Sequence, residues 1–172
     1  MVNISGEPAL LFTRRSRRLR EQGGAVSFPG GGVEREDSSL VDTALREAWE
    51  EVGLTRKNVD VWTVMDPIPG RVLTGPTLIT PVVAEIHQDL KELVINTREV
   101  EEVFTVPLAR LADPAYHGYT QFRPSQELST GFSLPVYWGG RHKVWGLTAL
   151  ICCNFLNILL DHYSHHLNIQ TL

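Results

Sequence analysis

Leu45-Arg46-Glu47-Ala48-Trp49-Glu50-Glu51-Val52-Gly53-Leu54 reads as the last turns of a helix that carries three glutamates within five positions. Helical spacing puts Glu47, Glu50 and Glu51 at i, i+3 and i+4, so their carboxylates share one face. Like charges at that spacing cost an isolated helix about 0.2–0.5 kcal/mol per pair. Gly53 predicts the helix end, which leaves Glu50 and Glu51 at the negative pole of the helix dipole, where carboxylates are disfavoured. Local rules broken together in this way point to a functional site. A hard divalent cation relieves both penalties, because Mg²⁺ and Mn²⁺ take oxygen ligands. A plain acidic, solvated helix face is the alternative that the three glutamates alone leave open.

Upstream, Ala25-Val26-Ser27-Phe28 reads as a short strand and Phe28-Pro29-Gly30-Gly31-Gly32 as a glycine loop leading to the helix. Ser39 with Asp42 three residues later resembles a capping box in which Asp replaces the usual Glu. Val41, Ala44, Leu45, Ala48 and Val52 form the apolar stripe that faces the core, with the glutamates beside it.

Strand, glycine loop and acidic helix together resemble the Nudix box, Gly-x5-Glu-x7-Arg-Glu-U-x-Glu-Glu-x-Gly-U, where U is bulky and aliphatic. Arg46, Glu47, Glu50, Glu51, Gly53 and Leu54 match it position by position. Counted from Gly31, the first acid falls on Asp37, with eight residues before Arg46; counted from Gly32, the spacing holds but the acid becomes Ser38. Ala48 is small for its position. Asp37 is therefore assigned the loop's supporting acid.

The segment before the box adds detail. Arg14, Arg15, Arg17, Arg18 and Arg20 are five arginines in seven residues of a chain whose net charge is −4. A presequence fragment, a solvated face and a phosphate clamp all fit that composition. The clamp is the sharpest of the three, because guanidinium groups bind phosphate oxygens bidentately, and the resemblance that follows is what selects it. Leu11-Phe12-Thr13-Arg14-Arg15-Ser16, Arg20, Gly24 and Phe28-Pro29-Gly30-Gly31 are similar, in correct spacing, to the signature of Nudix hydrolases acting on coenzyme A. Only Phe12 differs. The likeness continues through Thr80-Pro81-Val82-Val83 and Glu101-Glu102-Val103-Phe104 to Val144-Trp145-Gly146-Leu147-Thr148-Ala149.

That resemblance implies an α/β chain with the Nudix fold, an α/β/α sandwich with a mixed β-sheet between helices, and one domain over residues 1–172. It implies a diphosphatase that hydrolyses coenzyme A or acyl-coenzyme A to adenosine 3′,5′-bisphosphate and 4′-phosphopantetheine or its acylated form. Glu47, Glu51 and Glu50 would hold Mg²⁺ or Mn²⁺, Arg46 would orient a glutamate, and Arg15, Arg20, Gly30 and Gly31 would meet the substrate. Another nucleoside diphosphate derivative such as ADP-ribose, or a catalytically silent binding module, stays open.

Composition sets the bounds. With 172 residues, 42 % of them hydrophobic, the chain can bury a full core. Its negative balance implies no general affinity for nucleic acid or anionic membranes. The two cysteines, Cys152 and Cys153, lie in an apolar run and read as buried thiols of a reducing compartment. No signal-peptide core is visible, and the longest apolar stretch, residues 146–160, is too short to span a bilayer. An intracellular protein is expected, closer to mitochondrial-type than to peroxisomal members, since Ile169-Gln170-Thr171-Leu172 is no Ser-Lys-Leu address. A small-molecule substrate is the expected partner, with no nucleic acid and no stable membrane insertion; the sequence does not fix the oligomeric state.

Elsewhere, Ala9 to Thr13 reads as a buried strand and Val59 to Val64 as a half-buried one. Met65 to Pro76 reads as a loop and Leu78 to Ile86 as a long strand interrupted by Pro81. One of Glu99, Glu101 and Glu102 is a candidate for a further metal contact or the base, with a solvated strand entry as the alternative. Asp113 to Gly140 fits either a substrate-covering hairpin or core packing. A helix starts at Gly146, and His162 and His166 on its tail have metal spacing but read as a solvated end.

Overall fold

The computed structural model describes residues 1–4, 6–72, 75–122 and 132–167. In chain order the strands and helices are β1 (Val2–Ile4), β2 (Glu7–Arg15), β3 (Val26–Ser27), α1 (Leu40–Val52), β4 (Val59–Val64), β5 (Ile68–Val72) and β6 (Gly75–Ile79). They continue with β7 (Val82–Ile86), β8 (Val100–Pro107), α2 (Leu108–Ala112), β9 (His117–Phe122), β10 (Phe132–Tyr137) and α3 (Gly146–Leu167).

β2 is the axis of the main sheet. Residues Ala9 to Thr13 are all buried, as a continuous apolar run requires of a strand covered on both faces. One edge of β2 pairs antiparallel with β1 in its first half and β3 in its second; β8 runs antiparallel along the other edge. β1 is parallel to β7, and β7 antiparallel to β4, so the sheet is mixed.

Alternation along β2 and β8 separates two cores. Leu10 and Phe12, opposite Val106 and Phe104, pack with Ala149, Cys152, Phe155 and Leu156 of α3. Those α3 positions follow the helical period. On the other face Val52 and Ala48 of α1 meet Val100 and Val103. Helix, sheet, helix is the expected α/β/α arrangement. Cys152 is fully buried, and burial pushes its thiol far above the ordinary range, which keeps it unreactive.

Three differences from the sequence reading have physical causes. Residues 65–76 are not all loop: β5 pairs with β6 as a separate hairpin. The stretch from Leu78 to Ile86 is two strands, because Pro81 has no N–H to continue a ladder. β4 is paired on one side only and leaves Val61, Trp62 and Val64 exposed. β1 was not anticipated at all; three residues are too few to show a period.

The stretch from Asp113 to Gly140 does form a hairpin, β9 with β10, whose Val136 and Tyr137 are buried while Tyr119 is exposed. Residues 123–131 between the two strands, and the side chains of His162 and His166, lie outside the described residues. Among the described residues no helix is long and apolar enough to cross a membrane.

Candidate active site

α1 begins and ends where its sequence dictates. Ser39 is the N-cap and accepts the Asp42 N–H at 3.1 Å. Gly53 terminates the helix in the left-handed region (φ 71°), a conformation only glycine adopts without strain. The carbonyls left over at this end are claimed by the segment that follows β7. Val94 N–H donates to Val52 O (3.1 Å) and Asn96 N–H to Glu51 O (2.9 Å). This stitching carries residues 94–99 to the acidic end of α1, and Asn96 Nδ2 then holds Glu99 Oε1 at 3.0 Å.

The three box glutamates do not share one environment. Glu50 is the most open, at 41 % side-chain exposure, and Glu47 is largely covered at 14 %. Glu51 is buried, 3 % exposed, where sequence spacing alone had placed it with the others on an acidic face. Its neighbours are the glycine loop and β2: Gly30 N–H donates to Glu51 Oε2 (3.3 Å), and Arg15 Nη1 stands 3.8 Å from Glu51 Oε1. Burial, helped by Glu47 and Glu99 and only partly opposed by Gly30 and Arg15, raises the Glu51 carboxyl to about 7. Burial also raises Glu47, and Glu50 and Glu99 add to that.

Arg46 clasps the loop to the helix. Its Nε and Nη2 bind the two oxygens of Asp37 at 3.0 Å each, and Nη2 also donates to Gly32 O at 2.8 Å. Nη1 reaches Glu47 Oε1 (3.1 Å) and Glu50 Oε2 (3.3 Å). Asp37 further accepts the Glu34 N–H and the Thr43 hydroxyl, and the Arg46 guanidinium holds its carboxyl far below the usual range. The count from Gly31 to Asp37 is thus the one the structure uses. Gly31 itself touches Glu47: a Cβ there would overlap the Glu47 carboxyl group.

The structure separates the three acids at the start of β8, Glu99 just before it and Glu101 and Glu102 within it, that the sequence could not. Glu99 is the one that acts electrostatically on both Glu47 and Glu51. Glu101 instead faces Arg14 and Arg17 (3.9 and 3.7 Å), and Glu102 binds Arg141 Nη1 and His142 Nε2, each at 2.8 Å. No spacing rule reveals this, because Glu99 arrives through the backbone bonds to the end of α1. Of the arginine run, Arg15 alone among the described residues reaches a box glutamate, through Nη1; its Nε is buried with no hydrogen-bond partner among those residues. Arg20 is exposed and forms no ion pair among the described residues.

The cluster is chemically suited to a hard cation. Its donors are all carboxylate oxygens, and two of them are shifted upward by burial and mutual repulsion, a strain that a bound cation relieves. As arranged, no three His, Cys, Asp or Glu side chains among the described residues converge as a closed metal centre. Glu47 is turned to Arg46 and Glu51 to Gly30, each through one carboxylate oxygen.

A NUDIX domain model matches residues 1–126, most of the chain and all of this site. The chain belongs to the Nudix family. It is similar to the mitochondrial coenzyme A diphosphatase NUDT8 of Mus musculus, 43 % identical over 150 residues that make up 86 % of this chain and 69 % of that one. The NUDT8 of Homo sapiens is 41 % identical over 153 residues, 88 % of this chain and 63 % of its own. This Nudix chain therefore spans about two thirds of the length of those relatives. Among solved structures, a C. elegans Ap4A hydrolase binary complex superimposes with a TM-score of 0.53 at 14 % identity, covering 63 % of this chain and 74 % of that one. At that identity the likeness shows the Nudix fold alone. As a Nudix hydrolase, the chain acts on pyrophosphate bonds.

Proposed function

We propose that this Nudix hydrolase cleaves the diphosphate of coenzyme A or acyl-coenzyme A, giving adenosine 3′,5′-bisphosphate and 4′-phosphopantetheine or its acyl form. The carrying observation is the pair of covered carboxylates, Glu47 and Glu51, beside the loop of Gly30 and Gly31, with Arg15 next to Glu51 and Glu99 acting electrostatically on both. Two further facts support the substrate: the arginine-containing signature upstream of the box in this sequence, and the relatives named as coenzyme A diphosphatases.

Glu47 and Glu51, with Glu50, would hold Mg²⁺ or Mn²⁺, and Glu99 is the fourth carboxylate available to the site. Such a cation, when bound, supplies charge neutralisation at the phosphate oxygens and a more acidic water. The protein's own residues do the rest. Arg46 and Asp37 fix the loop so that Gly31 passes against Glu47 without a Cβ. Arg15, with its Nη1 beside Glu51, would meet a phosphate oxygen through its guanidinium, so that charge developing on the diphosphate meets a cation already in place. Glu99, half-buried and held by Asn96, would take a proton from water. A mitochondrial location follows the named relatives.

A panel of coenzyme A, acetyl-coenzyme A and ADP-ribose, each with Mg²⁺ or Mn²⁺ and with products separated by chromatography, tests the reading. Adenosine 3′,5′-bisphosphate released from coenzyme A is the expected result. Turnover of ADP-ribose alone would shift the substrate to another nucleoside diphosphate, and no turnover at all would leave a binding module.

A further inference from the structure

A shallow groove of about 710 Å³ leaves the acid cluster between Glu50 and Glu99 and runs past the end of α1 toward Lys57. That volume is in the range of small-molecule sites, roughly 300–1,000 Å³. Trp49 and Val94, 59 % and 73 % exposed, form its apolar wall together with Ile95. The side-chain amides of Asn58, Gln88 and Asn96 supply polar edges. Its charge is one-sided: Glu50, Glu92 and Glu99 stand against the single cation Lys57. Glu50 is also held by Arg46 Nη1 at 3.3 Å, and the remaining cations near the acid cluster lie elsewhere, Arg15 beside Glu51 and Arg14 and Arg17 beside Glu101.

Coenzyme A has two unlike ends. The nucleoside end carries a phosphomonoester dianion, which three glutamates repel and arginines attract. The other arm is uncharged, bears a geminal dimethyl group and two secondary amides, and matches an apolar wall edged by amides. We infer that the groove beside Trp49 takes the uncharged amide arm of the substrate, and that the phosphorylated nucleoside end lies toward the arginines of β2 and the turn after it. The scissile diphosphate then sits between them, at the acids. This orientation rests on the coenzyme A reading above, and it makes the groove the place where acyl chains are accommodated.

The test uses the whole ¹⁵N-labelled protein and follows the indole N–H signal of Trp49, assigned as the one lost in Trp49→Phe. The probes are pantetheine, S-acetylpantetheine and adenosine 3′,5′-bisphosphate. Saturable shifts of the Trp49 signal with the two pantetheine compounds, and none with the bisphosphate, are expected. A response to the bisphosphate instead, or to none of the three, overturns the assignment. Coenzyme A hydrolysis is measured on the same sample. A pantetheine response without hydrolysis keeps the groove and removes the reaction, whereas hydrolysis without a pantetheine response does the reverse. Trp49→Ala is expected to raise KM for coenzyme A about tenfold, the scale of one lost pocket contact. An unchanged KM would contradict the groove.

Discussion

Gly31 lies against the carboxyl group of Glu47 with no room for a Cβ between them. The glycine loop and the acidic helix are therefore positioned by contact. Gly31→Ala must move either the loop or Glu47. Turnover is expected to fall at least about tenfold, since displacements near 1 Å at a reacting centre cost up to about a hundredfold. Circular dichroism should show the fold retained. Full activity in this variant would mean that the contact does not position the site.

Glu51 gives a stability prediction whose sign follows from burial. Its carboxyl titrates near 7 in the folded chain, above the ordinary glutamate value of 4.5. The folded state thus holds the proton more tightly than the unfolded state does between about pH 4.5 and 7, and stability falls as pH rises through that window. Above it the cost of the buried charge is fully present, roughly 3 kcal/mol for a shift of this size. In chelator at pH 8, Glu51→Gln is expected to melt above the wild type, with the difference shrinking toward pH 5. Melting curves at the two pH values check this; a variant less stable at pH 8 would contradict it.

Divalent cation should act on the same quantity. Mg²⁺ or Mn²⁺ added at pH 8 is expected to raise the wild-type melting temperature and to have a much smaller effect on the double variant Glu47→Gln, Glu51→Gln, because a ligand that binds only the folded state stabilises it. Equal shifts in both proteins would remove these carboxylates from the metal site.

Among Glu99, Glu101 and Glu102, Glu99 alone is expected to matter for turnover directly. Glu99→Gln should lower kcat by about 10²-fold or more, the range of general-base contributions. Glu101→Gln, which releases only Arg14 and Arg17 and touches no box glutamate, should cost far less. Parallel kcat measurements decide, and the reverse order would reassign the role.

Much of this site was legible before the fold was known, and for a physical reason. A helix with three glutamates at its C-terminal end, a glycine loop before it and a strand before that are local patterns, and α1, β2, β3 and α3 all follow from them. What sequence could not supply was which carboxylate is buried. Glu47, Glu50 and Glu51 are equivalent by spacing, and only the packing of α1 on the sheet buries Glu51 and leaves Glu50 open. Glu99 was one of three indistinguishable acids until the hydrogen bonds of Val94 and Asn96 to the end of α1 were seen. Residues 65–79 misled because a Pro- and Gly-containing stretch looks like loop, while its partner strand β6 lies across Pro81 from β7.

The central claim is that the buried acid beside the glycine loop serves hydrolysis of a diphosphate. Steady-state turnover of coenzyme A with Mg²⁺ or Mn²⁺, wild type against Glu51→Gln, tests it most directly. The account predicts a loss of at least about 10²-fold in the variant with the fold intact, in line with electrostatic contributions in active sites. Turnover near that of the wild type would contradict it.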